Sequence, residues 1–495
     1  MLEELRRLLR NSGIYVVGIV ISKALGFIMI PIYTRYLAPR DYGTLEILDL
    51  ILYSTAIIAA MGINGAIFRF YSMYESERDK KEVVATAALY MTALAVVVSG
   101  LIILFAVPIA RATLGADSFA PLVRIMACVL LFSNMTEVPL SYWRAKERPG
   151  TFFIASVSRT VVGAAALAIA LAGFKAGVKG ALYANLFTNA LAGIGFSAVA
   201  MWDLPKRVVW VKLGQMLRYG LPLVPTSLAS FILVYSDRFF LRHFGTLGEV
   251  GVYALGYKLA MVLPLVINVP FQLVWQWQQF ELAKREDAQH IYARMGKYIL
   301  LVSVFFGLGL SLLSKEVIEV LTPQSYWSAY RIVPLIALCY VFDAIRNVVI
   351  SGMYLQKDTR HLAAVTVPVA LLDLALNYLL ISRFLAMGAA VATLVAYATN
   401  LFACLIVAQR LYKIPYEYAR SAIALFSAVA MYLAADALKL PLVLSLLLKV
   451  ALLGSFLWIC TRLLHPDELA MARDIGGSVA RKLGWRQQAA AASGS

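Results

Sequence analysis

Long apolar runs constrain the fold of this chain more than any other feature of its sequence. A helix needs about 20 predominantly apolar residues to cross the hydrocarbon core of a bilayer. Transmembrane β-barrels would instead show short segments of alternating hydrophobicity. Fourteen stretches approach or exceed the helical length: 14–34, 44–68, 83–107, 120–143, 152–173, 180–201, 219–241, 250–275, 298–313, 328–354, 362–382, 385–409, 417–437 and 441–463. The sequence therefore predicts an all-α polytopic membrane protein, and the ninth stretch is the shortest of its spans.

Charged residues make up only 15% of the chain, and they give a net charge of +17. Most of the Lys and Arg fall in every second connection between spans, which is the bias that marks cytoplasmic loops. This placement predicts that both termini are cytoplasmic, and it argues against nucleic acid as a partner. The four cysteines all lie within spans and show no C-x-x-C spacing, so we interpret them as small buried apolar residues.

The spans show a weak internal repeat. A shift of 211 residues aligns Lys146 with Lys357, Gly177 with Gly388 and Asn189 with Asn400. This shift pairs spans four to six with spans ten to twelve, as expected for a duplicated six-helix unit. We therefore predict four regions: an N-terminal lobe (1–201), a C-terminal lobe (202–412), spans 13 and 14 (413–464), and a cytoplasmic tail (465–495) that ends in a possible tag remnant. The two lobes are expected to face each other across a central cavity, related by a pseudo-twofold axis along the membrane normal.

Several cations lie inside the predicted spans, where a charge costs about 2.5–3.5 kcal/mol on insertion scales. They are Lys23, Arg124, Arg159, Lys258, Arg331, Arg346 and Lys449. Residues of this kind usually face a wet cavity or a charged partner. We expect Lys23, Lys258, Arg159 and Arg346 to face such a cavity and to bind an anion. Arg124, Arg331 and Lys449 are expected to reach the membrane interface instead.

Acidic residues are fewer within the spans: Asp49, Glu137, Asp343 and Asp373. Asp373 and Asn377 share a helix face and could couple transport to an ion, or Asp373 could be the charge partner of a buried cation. Asp343 lies three residues before Arg346, so this pair could equally neutralise itself. Nucleotide-binding, hydrolase and metal-cluster motifs are not found, and we therefore expect no enzymatic activity, cofactor or metal.

Two segments resemble a known family. Residues 26–46 (GFIMIPIYTRYLAPRDYGTLE) and residues 220–260 (GLPLVPTSLASFILVYSDRFFLRHFG, followed by EVGVYALGYKLA) are similar to the openings of the two lobes in Wzx-type polysaccharide flippases. These flippases belong to the multidrug/oligosaccharidyl-lipid/polysaccharide exporter superfamily. The resemblance covers nearly the whole chain, including the fourteen spans and their six, six and two layout.

The resemblance implies an alternating-access flippase in a bacterial inner membrane. Its substrate would be a polyprenyl-pyrophosphate-linked oligosaccharide, moved to the outer leaflet for exopolysaccharide, capsule or O-antigen synthesis. Membrane lipids, a glycan polymerase and a chain-length regulator are the implied partners, and the chain is expected to be a monomer. In related lipid II flippases the first two helices of each lobe supply a cationic cavity, and Lys23 and Lys258 fit that placement.

The sugars of such a substrate need polar and aromatic contacts. The candidates are Tyr33, Tyr36, Asn64, Tyr235, Asn268 and Trp275. Three other functions remain open. A lipid II flippase would share the pyrophosphate, whereas a drug or cation antiporter of the same fold would be expected to depend on buried carboxylates. A membrane-bound glycan polymerase or ligase would be expected to carry a large outer loop, and every predicted outer loop is short.

Overall fold

The computed structural model describes residues 18, 21, 25–355, 360–438 and 440–469. Apart from short connections these residues are helical, and none of the described residues is in a β-strand, which confirms the predicted all-α class. The helices of the first half, in chain order, are α1 (Ile30–Tyr36), α2 (Pro39–Ala60), α3 (Ile63–Met73), α4 (Glu77–Leu104), α5 (Ala106–Leu114), α6 (Ala120–Ala145), α7 (Pro149–Ala168), α8 (Gly177–Met201) and α9 (Trp210–Gly220).

The second half continues in the same manner. Its helices are α10 (Val224–Phe244), α11 (Leu247–Ala260), α12 (Val269–Leu282), α13 (Ala288–Leu321), α14 (Val333–Val349), α15 (Ser351–Leu355), α16 (Arg360–Leu411), α17 (Tyr418–Ala437) and α18 (Leu442–Leu463). Proline within the first two helical positions starts many of them, including α2, α7, α10 and α14, because proline needs no hydrogen-bond acceptor there. Helix α11 begins instead with a reciprocal cap between Thr246 and Glu249.

Twelve helical segments of the described residues are long and apolar enough to cross a membrane. One of them, Ala364–Leu411, has 48 residues and would be about 72 Å long as a straight helix. The chain reverses within it, because Leu385 has φ 48° and ψ −127° and a Cβ on Gly388 would lie 2.2 Å from the carbonyl oxygen of Leu380. This segment therefore accommodates two of the predicted spans. Nine residues of the first predicted span, 14–34, lie outside the described residues, so the number fourteen stays a prediction.

The helices pack in two groups. Helices α3–α8 contact mainly one another and, with α2, form the first group, whereas α10, α13, α14 and α16 contact one another in the second group. Helix α11 of the second group packs closely against α2 of the first. The two groups are defined by the contacts between helices. These contacts do not test the predicted lobe boundary at residue 201, which stays a prediction.

One end of the helix bundle is held together by several contacts between the groups, and we call these contacts the outer seal. Gly43 and Gly251 bring α2 and α11 into backbone contact, since a Cβ on either would lie 1.8 Å or 2.1 Å from a carbonyl oxygen of the other helix. The Tyr326 hydroxyl donates to the carbonyl of Leu37 (2.9 Å), and Arg242 donates to that of Leu114 (2.8 Å). We call this end the outer end, because the loop charges predict that it faces away from the cytoplasm.

The linker between the groups is partly helical, since it contains α9. Helix α9 is fixed to the first group by Lys212, whose ammonium lies 2.8 Å from Glu82 and 2.7 Å from Asp79. At the same end of the first group, Asp203 lies 2.6 Å from Lys81. We call this end, which also contains Lys297 of α13, the inner end.

Two predictions about the ninth and fourteenth spans are wrong. The ninth span is not short: α13 runs over 34 residues, Ala288–Leu321, because charged residues continue the helix beyond both ends of the apolar stretch 298–313. Lys449 of α18 does not reach the interface. It is buried and pairs with Glu316 of α13 at 2.5 Å. Glu316 lies beyond residue 313, where the predicted ninth span ends, so the sequence offers no partner for Lys449.

Candidate functional site

A cavity of about 690 Å³ lies within the first helix group, and among its described lining residues Lys258 alone belongs to the second group. Its lining near Lys258 consists of Tyr33 of α1 and of Tyr42, Glu46 and Asp49 of α2. The sequence places Glu46 and Asp49 three residues apart, so both carboxylates point to one face of α2. The cavity therefore combines acidic, basic and aromatic side chains in a bundle that is otherwise apolar.

Lys258 is the predicted anion ligand that the structure places on this cavity. Its side chain keeps 38% of its surface accessible, and its ammonium lies 2.7 Å from Glu46. The same ammonium lies 4.9 Å from the ring centre of Tyr42, within the range of a cation–π interaction. Lys258 is therefore accessible from the cavity and already neutralised by a carboxylate of the other helix group.

Behind this pair lies a second cation, Arg238 of α10, which is 1% exposed. Its guanidinium lies 2.8 Å from Asp237 and 3.6 Å from Glu46, and 4.0 Å from the ring centre of Tyr257. Tyr253 donates a hydrogen bond to the other oxygen of Asp237. Burying a charge is costly unless it is paired and hydrogen-bonded, and this network supplies both.

The sequence interpretation missed Glu46, Asp237 and Arg238 as buried charges. The predicted seventh span, 219–241, ends three residues after Arg238. The helix continues to Phe244, which moves the adjacent Asp237 and Arg238 inside. The available signal in the sequence was the pair of adjacent charged residues, Asp237 and Arg238, near the end of an apolar run.

A second polar region lines the cavity from α6, α7 and α8. Arg159 donates to the side-chain oxygens of Asn189 (2.7 Å) and Thr136 (3.1 Å). Glu137 and Asn185 also line the cavity there, together with Ser156, Thr160 and Thr188. Predicted residue Arg159 thus faces the same cavity as Lys258, among hydroxyl and amide groups.

Other predicted site residues lie elsewhere. Lys23 lies outside the described residues. Of the predicted sugar contacts, Tyr33 lines the cavity, and the following are not among its described lining residues: Tyr36, Asn64, Tyr235, Asn268 and Trp275. Trp275 is buried and donates to the Ser351 hydroxyl at 2.9 Å, so its polar atom already has a partner.

Arg346 also lies away from the cavity lining. Its guanidinium lies 2.9 Å from Asp343, which also accepts a hydrogen bond from Asn268 at 3.3 Å. The sequence allows two interpretations: Arg346 faces a cavity, or Arg346 and Asp343 neutralise each other. The observed geometry is that of an ion pair within one helix. Asp343 is thereby engaged with Arg346.

Asp373 forms a different kind of site in the second group. It is 1% exposed and accepts hydrogen bonds from Ser236 (3.1 Å) and Asn377 (3.0 Å). Among the described residues no Lys or Arg forms an ion pair with it. The second carboxylate oxygen of Asp373 and the amide oxygen of Asn377 are buried without a hydrogen-bond partner. Two buried oxygen acceptors are thus left, close to each other in sequence, on α16.

No group of three or more His, Cys, Asp and Glu within the described part of the chain could hold a metal ion. The charged and polar side chains that line the cavity offer ion pairs and hydrogen bonds. Lys258 and Arg159 can bind phosphate oxygens, and the hydroxyl and amide groups can exchange hydrogen bonds with sugar hydroxyls.

The chain was compared with known proteins. Residues 8–276 match the model of a family described as "Polysaccharide biosynthesis protein". A relative from Haemophilus influenzae, Lsg locus putative protein 1, is 26% identical over 53% of this chain and 63% of its own length. The succinoglycan biosynthesis transport protein ExoT of Rhizobium meliloti is 24% identical over 66% of this chain and 65% of its own length. The matches thus span slightly less than two thirds of each relative.

Solved structures show the same fold. The lipid II flippase MurJ in an inward closed conformation superposes with a TM-score of 0.74 at 14% identity, over 90% of this chain and 98% of that protein. A multidrug resistance transporter of the MATE family in an inward-facing conformation reaches 0.57 at 16% identity, over 80% and 97%. The family match covers more than half of the chain, so the protein belongs to the polysaccharide biosynthesis protein family, as the resemblance of residues 26–46 and 220–260 predicted.

Proposed function

We propose that this protein is an alternating-access flippase for polyprenyl-pyrophosphate-linked oligosaccharide repeat units. It moves them from the cytoplasmic to the outer leaflet of a bacterial inner membrane, for exopolysaccharide, capsule or O-antigen synthesis. The observation that carries this proposal is a cavity with an accessible Lys258 and a polar wall inside an apolar helix bundle. Both termini are cytoplasmic in this proposal, and the protein acts as a monomer that delivers substrate to a polymerase and a chain-length regulator.

The pyrophosphate binds at the Lys258 end of the cavity. An ammonium group in a low-dielectric site attracts a multivalent anion more strongly than it does in water. Lys23 would contribute from the first span, and Arg159 offers a second cation on the same cavity. Arg346 contributes less directly, because Asp343 already engages its guanidinium.

The oligosaccharide occupies the polar wall of α6–α8. The hydroxyl and amide side chains of Ser156, Thr188 and Asn185 line this part of the cavity, and Tyr33 lines the part near Lys258. Such groups both donate to and accept from sugar hydroxyls. The polyprenyl tail stays in the lipid beside the helix groups, because an apolar chain has no free-energy cost of burial in hydrocarbon.

Energy for export comes from the membrane potential, with an ion as a second source. An inside-negative potential favours outward movement of an anion by about 2.3 kcal/mol per charge per 100 mV. Asp373 and Asn377 are the proposed ion-coupling residues, because each keeps a buried oxygen without a hydrogen-bond partner. A proton on Asp373, or a sodium ion between the two oxygens, would satisfy them.

A lipid II flippase is the second candidate function, favoured by the TM-score of 0.74 with MurJ. Both candidate substrates present a polyprenyl pyrophosphate, so the anion site is shared. The family match to polysaccharide biosynthesis proteins favours the oligosaccharide. A drug or cation antiporter fits less well, because the accessible end of the cavity offers Lys258.

The test uses undecaprenyl pyrophosphate as a probe, with undecaprenol as the uncharged comparison. The purified protein should gain thermal stability with the first compound only, since a ligand stabilises the state that binds it. Lys258→Gln should lose most of this gain, and in cells it should abolish surface polysaccharide while lipid-linked oligosaccharide accumulates. Arg124→Gln is the matched control, because Arg124 is exposed and lies away from the cavity lining.

Normal surface polysaccharide from a Lys23→Ala/Lys258→Ala variant that is present in the membrane would contradict the proposal. To separate the two candidate substrates, accumulated lipid from cells depleted of the protein is analysed. Repeat-unit oligosaccharide supports the first, and lipid II supports the second.

A further inference from the structure

A single carboxylate of the first helix group, Glu46, engages two cations of the second. One of its oxygens lies 2.7 Å from the ammonium of Lys258, and the other lies 3.6 Å from the guanidinium of Arg238. Glu46 is buried, with 7% of its side chain exposed. The Nε atom of Arg238 has no hydrogen-bond partner, and the guanidinium is held by hydrogen bonds to Asp237 and to the Val234 carbonyl and by its charge interaction with Glu46. The contact between the helix groups at this depth is therefore an ion-pair network centred on Glu46.

The charge balance of this network opposes anion binding in the observed conformation. Glu46, Asp49 and Asp237 supply three carboxylates, whereas Lys258 and Arg238 supply two cations. An anion that enters the cavity meets an ammonium that already has a carboxylate at ion-pair distance. The anion can form a full ion pair with Lys258 only if Glu46 moves away, because the anion and the Glu46 carboxylate would otherwise repel each other at short range.

The ion pair and the outer seal involve the same two helices. Glu46 lies three residues after Gly43 on α2, which is about one helical turn. Lys258 lies seven residues after Gly251 on α11, or about two turns. Gly43 and Gly251 bring the two backbones into contact, so loss of the Glu46–Lys258 pair weakens the helix contact that keeps the outer end closed.

We propose that Glu46 is an internal competitor for the substrate anion, and that its displacement from Lys258 by the pyrophosphate releases the outer seal. This inference rests on the proposed function, in which a pyrophosphate-linked lipid is the substrate. Without substrate, Glu46 holds α2 and α11 together and the outer end stays closed. With substrate, the pyrophosphate takes the place of the carboxylate, and the anion itself supplies the signal for outward opening.

This assignment meets the thermodynamic requirement for a conformational trigger. A ligand shifts an equilibrium between two conformations only by its difference in affinity for them. In the closed conformation the pyrophosphate must compete with Glu46 for Lys258, whereas in the open conformation the two helices have separated and Lys258 is free. The competition therefore gives the open conformation the higher affinity for substrate.

The experiment compares Glu46→Gln with the unmodified protein, using undecaprenyl pyrophosphate as the charged probe and undecaprenol as the uncharged one. Spin labels at Arg40 and His243, which are both exposed at the outer end, report the separation of the two groups there. Glu46→Gln should bind undecaprenyl pyrophosphate about tenfold tighter, in the usual range of couplings between sites. Its label distance should lengthen without any ligand, and its affinity for undecaprenol should not change.

Glu316→Gln is the matched control. It also removes a carboxylate that is paired with a lysine between two helices, but Lys449 and Glu316 lie away from the cavity lining. It should change neither the affinity for the probe nor the distance between the labels. If it changes both as Glu46→Gln does, the effect is a general one of lost helix packing and the proposal is wrong.

The proposed function and the role of Glu46 as a competitor are contradicted by different results of this experiment. If the unmodified protein does not bind undecaprenyl pyrophosphate, the proposed function fails. If it binds the probe, but Glu46→Gln alters neither affinity nor distance, Glu46 is not the competitor and the proposed function stands. Should Glu46→Gln not fold, the unmodified labelled protein decides: binding of undecaprenyl pyrophosphate with no lengthening of the label distance overturns the proposal.

Discussion

Two lysines within the helix bundle, Lys258 and Lys449, show how environment separates a ligand from a structural charge. Each is paired with a glutamate of another helix, at 2.7 Å and 2.5 Å. The Lys258 side chain is 38% exposed and faces the cavity, whereas that of Lys449 is 9% exposed and is not among the described lining residues. Depth in an apolar helix predicts that a lysine needs a partner, but only the surroundings decide whether a ligand can replace that partner.

Lys449→Met should destabilise the protein by about 3–5 kcal/mol, because it leaves the Glu316 carboxylate buried without its counter-ion. The double variant Lys449→Met/Glu316→Leu should recover most of this loss, since it buries apolar groups of similar size. Thermal unfolding of the purified variants measures both effects. A single variant as stable as the unmodified protein would show that Glu316 finds water or another donor.

Helices α2 and α11 depend on small residues at their crossing. A Cβ on Gly43 would lie 1.8 Å from the carbonyl oxygen of Leu247, which neither helix can accommodate without moving. Close approach of this kind is how helices associate where the surrounding lipid offers no hydrophobic driving force. The crossing therefore needs glycine for contact and Glu46 for charge.

Gly43→Ala should open the outer end and reduce transport. The added methyl group pushes α2 away from α11, so a cysteine placed at the outer end should react faster with a membrane-impermeant reagent. Gly100→Ala is the control, because a Cβ there meets nothing within 4 Å. Equal labelling rates in the two variants would show that the crossing is not the seal.

The inner end of α13 carries a second charged contact between elements. Lys297 lies 2.9 Å from Glu417 and 2.8 Å from Glu468, and so joins α13 to the start of α17 and to the segment after α18. Burial alone would raise the pKa of both carboxyl groups, but their hydrogen bonds with Lys297 lower the pKa of each below its usual value.

This contact predicts a pH dependence of stability. Because the pKa values of Glu417 and Glu468 are lowered in the folded protein, their contribution is complete above the unfolded value of about 4.3 and is lost as the pH falls through the folded values. Lys297→Met should therefore lower the unfolding temperature at pH 7 and reduce its further loss as the pH falls below about 4. Parallel curves for variant and unmodified protein would exclude the contact as the source.

The whole molecule has its two helix groups joined at the outer end, and alternating access requires that this joint opens. Pro39 and Gly248 lie on opposite sides of it, where the Cβ of Pro39 and a Cβ on Gly248 would be 3.9 Å apart. This separation suits a disulfide.

Pro39→Cys/Gly248→Cys, in a chain whose native cysteines are replaced, should stop polysaccharide export when oxidised and restore it when reduced. The single-cysteine variants control for the loss of Pro39 and Gly248 themselves. Surface polysaccharide, measured with and without reductant, gives the result. Export that continues with the disulfide formed would rule out outward opening at this crossing.

The sequence predicted the helical class, the family and the position of Lys258 on a cavity, because each depends on properties that are local in the chain. Apolar length fixes a span, and the two opening segments carry the family pattern. The partner of Lys258 was not predictable, since Glu46 lies more than 200 residues away and belongs to the other helix group. Tertiary packing alone decides that two such charges meet.

Where helix ends were misjudged, charged residues were misassigned as well. Truncating the ninth span at residue 313 excluded Glu316 and left Lys449 without an expected partner. Ending the seventh span at 241 placed Arg238 near a surface. Hydrophobicity locates the middle of a span, but a helix continues as long as its backbone hydrogen bonds and side-chain partners allow.

The reversal at Leu385 bears on how the protein enters the membrane. The turn between the two halves of α16 lies within residues 380–388, so almost no polar chain has to cross the bilayer between them. The two halves can therefore insert together as a helical hairpin, so that the first half is not in the lipid without the second. Because Asp373 lies in the earlier half of this hairpin, its carboxyl group enters the bilayer together with the second half.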